Sequence, residues 1–163
     1  MVRMFFGKYQ GKKTLEQIFF TDPGYIYWMV DKEIREDMRK FGQQGIRRFA
    51  DLLRRAAHLR IPGICDWCKS GRPVSRMFLT GHISGGLGVV GFDCDECYPQ
   101  GSSPTMAMKP SFYTPDAYRS YDKTGGRLLV EAIKFRYFGD TSYRITDKRA
   151  DEFFDNPANF VNF

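Results

Sequence analysis

The chain has 163 residues, 42% hydrophobic and 27% charged, the balance of a folded domain rather than a disordered one. A chain this long buries a core without disulfide staples, and none of its apolar runs approaches the roughly 20 residues that span a bilayer. A secreted disulfide mini-protein and a membrane protein are thereby excluded; MVRMFFGKYQ does not read as a secretory signal, and the expected location is the cytoplasm. Aromatic residues are abundant (15 Phe, 9 Tyr and 2 Trp), which predicts that some rings lie on the surface. The net charge of +6 is uneven: residues 1–60 carry 13 Lys/Arg against 7 Asp/Glu, and residues 61–163 carry 12 of each. Such a concentrated excess fits a polyanion or an acidic protein as partner, or else a solvated face.

Along residues 1–60, Gly7 and Gly11 punctuate a short strand and turn. Thr14 and Gln17 have capping-box spacing for a brief helix. Asp22-Pro23-Gly24 starts a second helix, Asp at the cap and Pro at the first helical position. Tyr25, Trp28 and Met29 share a face there and are expected in the core. A third helix is predicted from about Gly45 to Leu59, with Ile46, Phe49, Leu53, Ala56 and Ala57 as its buried stripe. Arg47, Arg48, Arg54 and Arg55 fall on the other side, with Asp51 placed to pair with Arg47 or Arg55.

The run FGKYQGKKTLEQI, then TDPGYIYWM, resembles the small C-terminal module of exodeoxyribonuclease X-like proteins and related short bacterial and phage proteins. Gly7, Lys8, Tyr9, Gly11, Lys12, Leu15, Ile18, Asp22, Pro23, Tyr25 and Trp28 fall in register with that pattern. The resemblance covers about residues 3–30 and implies a nucleic-acid-associated accessory; in the exonucleases the catalytic carboxylates belong to a separate domain that nothing here resembles. Lys8, Lys12 and Lys13, in the glycine turn, are candidates for phosphate contact together with the four arginines.

The middle segment, 61–98, holds two C-x-x-C pairs, Cys65/Cys68 and Cys94/Cys97, which use every cysteine in the chain. Two thiolates on one tight turn face one tetrahedral ion, and two such turns supply the four sulfurs of a structural Zn²⁺ site with no position left for a catalytic water. Two disulfides are disfavoured in a cytosolic chain, and a redox C-x-x-C needs no duplicate. Gly86-Leu87-Gly88-Val89-Val90-Gly91 spells G-x-G-x-x-G, but a metal knuckle follows where the dinucleotide fingerprint needs a helix. His82-Ile83 and Gly85-Gly86 between the cysteine pairs look like a degenerate HNH nuclease. Gly81 stands where an acidic residue usually precedes that His, no Asn lies between the pairs, and no His follows Cys97. No catalytic residue is assigned.

Residues 99–163 open with the breaker-rich PQGSSPT, a candidate boundary. Thr114-Pro115-Asp116 predicts a short helix carrying Tyr118 and Tyr121. Leu128, Ala132, Phe135 and Phe138 form a helical stripe, Ser142–Ile145 reads as a strand, and Thr146 caps a last helix through Phe154. Lys134, Arg136, Arg144, Lys148 and Arg149 with Tyr137 and Tyr143 could line a strand-binding groove, which the neutral balance opposes. The tail NPANFVNF either tucks into a groove or mediates contact.

The expected fold is α+β, a small helix-rich domain around a four-cysteine zinc ribbon or hairpin, in segments 1–60, 61–98 and 99–163. The expected function is that of a zinc-containing nucleic-acid-binding accessory protein, bacterial or phage, with DNA as the expected polymer. A phage-type adaptor or inhibitor binding an acidic host protein surface is the alternative, and an HNH-derived nuclease the third. No small-molecule substrate is evident.

Overall fold

The structure, a computed structural model, describes residues 3–4, 7–31, 42–68, 70–80, 89–97, 107–108, 110–112 and 123–161. Gly7–Tyr9 forms a 3-10 turn. Gly7 has φ +67°, and a Cβ there would lie 2.0 Å from Tyr25 Oη, so the turn requires glycine. Thr14 caps helix α1 (Leu15–Thr21) through the predicted reciprocal box: its hydroxyl accepts from Gln17 N and the Gln17 side chain accepts from Thr14 N. Helix α2 (Pro23–Asp31) follows, with Asp22 Oδ1 accepting from Tyr25 N at 3.1 Å. Tyr25, Ile26 and Met29 are buried, but Trp28 is 38% exposed and stacks on Tyr25. The inner line of α2 therefore runs through Ile26, and the indole expected in the core lies at its rim.

Helix α3 (Gly42–Ala56) buries Gly45, Phe49, Leu52 and Ala56, a line with the 3–4 spacing of a packed face. Ile46, expected inside, is exposed, and Leu53 is only partly buried. The helix is turned by one position because Arg48 and Arg55 are drawn inward to partners on other elements.

Strands β1 (Arg76–Thr80) and β2 (Val89–Asp93) pair antiparallel, Arg76 opposite Asp93, and β3 (Ala107–Met108) adds to the other edge of β1. Met77 and Phe92, directly opposite, face the core. On the other face the Phe78 ring covers Gly91, where a Cβ would meet it at 2.3 Å. The last glycine of the G-x-G-x-x-G letters thus lies within a strand, where no phosphate-binding helix starts.

Helix α4 (Lys123–Phe138) buries Leu129, Val130 and Ile133, while Phe135 is 56% exposed and Leu128 and Ala132 are half-buried. The predicted stripe was the wrong one of two apolar lines: α4 packs on α1, α2 and β2, its 129–133 line is buried, and Leu128, Ala132 and Phe135 line a groove beside β2. Ser142–Ile145 is not a strand, since Asp140 Oδ1 takes the Ser142 N–H and the Gln17 side chain takes the Ile145 carbonyl. Thr146 caps helix α5 (Asp147–Asp155), its hydroxyl accepting from Arg149 N. The tail then tucks in: Phe160 is buried, bridges to Leu59, and is followed by a Val161 N to His58 O bond of 2.9 Å.

The architecture is α+β. Its core takes residues from Met4 to Phe160 and centres on phenylalanines, with Phe20–Phe112 centroids 4.7 Å apart and Phe20–Phe153 5.0 Å apart. Among the described residues, no helix is long and apolar enough to cross a membrane.

Candidate metal centre and basic surface

The segment Cys65–Cys68 turns back at a bridge between Ile64 and Pro73, and Cys94–Cys97 turns where β2 ends, its Cys97 N donating to Cys94 O at 3.2 Å. The two turns are locked together by a reciprocal pair: Asp66 N donates to Phe92 O at 2.8 Å, and Phe92 N donates to Asp66 Oδ2 at 3.0 Å. The four Sγ atoms consequently lie within 4.8 Å of one another, with Cys68 and Cys94 3.9 Å apart. Four sulfurs about 2.3 Å from one tetrahedral ion are about 3.8 Å apart, so the cluster fits a four-thiolate metal site. Cys65, Cys94 and Cys97 are buried and Cys68 is half-buried.

The four thiols are unequal. The Ser70 hydroxyl, 2.9 Å from Cys68 Sγ, lowers that thiol to about 6, while burial beside its neighbours raises Cys97. Arg72, paired with Glu96, adds positive charge beside Cys94. Outside the four cysteines, Arg136 of α4 pairs with Asp66 and lies over the Phe92 ring at 4.8 Å, clamping the ribbon to the helical core. Sequence reasoning missed this clamp; its local signal was the Asp that directly follows the first cysteine of each pair.

The lysine turn is organised by aromatic rings. Lys8 lies 4.9 Å from the Tyr9 centroid and 5.3 Å from that of Tyr25, and Lys13 lies 5.1 Å from that of Tyr9. Tyr9 meets Tyr25 edge-on, and Tyr25 carries the exposed Trp28. Lys8 pairs with Asp22, which also accepts from Tyr9 Oη at 2.7 Å. Burial would push the Asp22 carboxyl up, but these two donors hold it below the usual carboxylate range. Lys12 is exposed, and burial lowers Lys13. Residues 4–33 match the model of the exodeoxyribonuclease X-like C-terminal family. The lysine turn, α1 and α2 all fall inside that module. No curated protein and no solved structure matches the chain.

The arginines of α3 divide. Arg47 is exposed, and the Arg54 side chain is exposed while bonding Asp51 at 2.9 Å. Arg48 is a framework residue: its Nε donates to Glu16 Oε1 at 2.9 Å and its Nη2 to Asp155 Oδ1 at 2.8 Å. Arg55 donates to Asp51 at 2.8 Å and to the Phe154 carbonyl at 2.7 Å. In the third segment Tyr137 donates to the Arg60 carbonyl, Arg149 lies over Tyr143, and Lys148 pairs with Glu152, so much of the imagined strand groove is engaged internally. His82, the Gly85-Gly86 step, the 99–105 linker and the Tyr118/Tyr121 helix lie outside the described residues.

Proposed function

We propose that this is a zinc-containing nucleic-acid-binding accessory protein of bacterial or phage origin, cytoplasmic, with DNA as its expected polymer and no catalytic activity of its own. The observation that carries the reading is the matched module, whose Lys8 and Lys13 lie over the Tyr9–Tyr25 pair beside Trp28, within the third of the chain that holds the charge excess. Lys12, Lys13, Arg47 and Arg54 supply phosphate contacts; Lys8 shares its charge with Asp22, and Arg48 and Arg55 hold α3 in place. The open indole of Trp28 offers a face to an unpaired base. Zinc suits four thiolates, cross-links the two knuckles and leaves no site for a reactive water. The third possibility, an HNH-derived nuclease, would need His82 as its base and gains no support from the thiolate set.

The same cations suit an acidic protein surface, the alternative reading, but Phe160 of the aromatic tail is buried in the core rather than offered for contact. The two separate by salt dependence. Replacing Lys12, Arg47 and Arg54 by Gln should weaken duplex binding alike across sequences and reduce the slope of log K against log salt by about 0.9 per lost contact. Stability should change little, because exposed cations contribute little to folding. Binding and slope both unchanged in the triple variant would transfer the basic surface to a protein partner.

A further inference from the structure

Among the described residues, two pockets differ in electrostatic character. The larger, about 500 Å³ between α4 and β2, presents the carboxylates of Asp66 and Glu131 beside Phe135, and Arg136 is already tied to Asp66. The smaller, about 300 Å³, is cationic. Its charged lining is Arg60, Arg76 and Asp95, with the His58 imidazole beside them, and its apolar walls include Leu59, Val74 and Val161.

The walls of the smaller pocket are fixed by backbone bonds. Leu59 N donates to Pro110 O, Arg60 N to Asn159 O, Val161 N to His58 O, and Ser75 N to Asp93 O, each at 2.9 Å. Tyr137 Oη caps the Arg60 carbonyl at 2.6 Å. Those amides are therefore spent, and the pocket presents side chains. Arg76 bonds Asp95 at 3.0 Å, which cancels one charge and leaves the exposed Arg60 guanidinium as a cation at the rim. Ser75 lines the same pocket, and its hydroxyl, buried from solvent, has no hydrogen-bond partner, a costly state that rotation of the side chain toward a ligand would relieve. Helix α3, with Arg54 on its exposed side, runs directly into the segment that begins the pocket at His58.

A cationic rim, apolar walls and one unsatisfied hydroxyl within about 300 Å³ match a ligand that is anionic at one end and flat and apolar, with polar edges, at the other. We propose that this pocket binds a nucleoside phosphate, the phosphate on Arg60 at the rim and the base against Leu59, Val74 and Val161 with Ser75 at its edge. In deepening the nucleic-acid reading it rests on that reading for the strand form of the ligand, where the unit is one nucleotide of a single strand. A free nucleotide offers the same chemistry.

The test uses the full chain with its metal. Deoxyadenosine and deoxycytidine monophosphate are titrated by thermal shift against inorganic phosphate at equal ionic strength, and a labelled single-stranded oligonucleotide is followed by anisotropy. Arg60→Gln is the main variant; its side chain is exposed and its backbone makes the folding contacts, so it keeps the fold. Ser75→Ala is the second. Expected are a shift with the nucleotides and not with phosphate, a loss of about tenfold in nucleotide affinity in Arg60→Gln, and a smaller loss in Ser75→Ala. Equal shifts from phosphate, or an Arg60→Gln protein that binds nucleotides as the parent does, would overturn the assignment. Oligonucleotide binding weakened by the Lys12/Arg47/Arg54 variant but not by Arg60→Gln, with no nucleotide shift, would defeat the pocket alone. Nucleotide binding lost in Arg60→Gln, with no oligonucleotide bound at low salt, would keep the pocket and defeat the nucleic-acid reading.

Discussion

Arg47 and Arg48 are neighbours in sequence and opposite in role. Glu16 is fully buried; one of its oxygens takes the Arg48 bond, and the other has no partner. Burial pushes the Glu16 carboxyl up, and Arg48 works against that shift. Removing the arginine alone would strand a buried carboxyl, a change that costs about 3–5 kcal/mol for a fully enclosed pair. Arg48 is 21% exposed, so a smaller loss of about 2–3 kcal/mol is expected for Arg48→Gln in denaturant unfolding. Glu16→Gln combined with Arg48→Met should recover much of it, and Arg47→Gln should stay within about 0.5 kcal/mol of the parent. Equal stability of the two single arginine variants would show that the Glu16 contact does not hold α3.

Helix α4 shows the same division across a whole element. Its sequence carries two apolar lines about 100° apart, and periodicity alone ranks them equally. The structure puts Leu129 and Ile133 inside and turns Leu128, Ala132 and Phe135 toward the open groove beside β2. Ile133→Ala should therefore cost about 2–5 kcal/mol, the range for a buried aliphatic side chain, whereas Phe135→Ala should cost less than about 1 kcal/mol. Thermal or urea unfolding of the pair decides between the faces, and a reversed order would restore the 128–135 line to the core. The helix starts needed no such choice. Thr14, Asp22 and Thr146 act through the amides of residues three positions ahead, which makes them legible in the sequence.

On the scale of the whole molecule, the cysteine cluster and the aromatic core are separate centres joined by β1, β2 and the Arg136 clamp. A metal on these cysteines would couple binding to folding of the knuckles, because the four sulfurs come together only in the folded turns and give up their protons to the ion. The purified protein is expected to hold about one zinc per chain. Chelation, or Cys65→Ser, should release it and abolish hydrogen-exchange protection at the Cys65, Asp66 and Phe92 amides first. The amides of α1 and α5, held by the phenylalanine core, should remain slow. Protected knuckle amides in a metal-free chain would show that the Asp66–Phe92 bonds suffice without an ion.

The four-cysteine cluster and the helix caps were readable from spacing, and the lysine-bearing module from its family resemblance, because each depends on groups a few residues apart or on a C-x-x-C turn that works the same in any fold. Spacing could not say that Trp28 sits outside Ile26, that Arg48 and Arg55 turn inward while Arg47 and Arg54 do not, or that Ser142–Ile145 gives its backbone to Asp140 and Gln17 instead of a sheet. Nor could it bring His58, Arg60, Ser75, Arg76 and Val161 around one pocket, since these come from three separate stretches of chain. Those outcomes were decided by tertiary packing, because a helix with two apolar lines, or an arginine with acids on either side, takes the face that its distant neighbours supply.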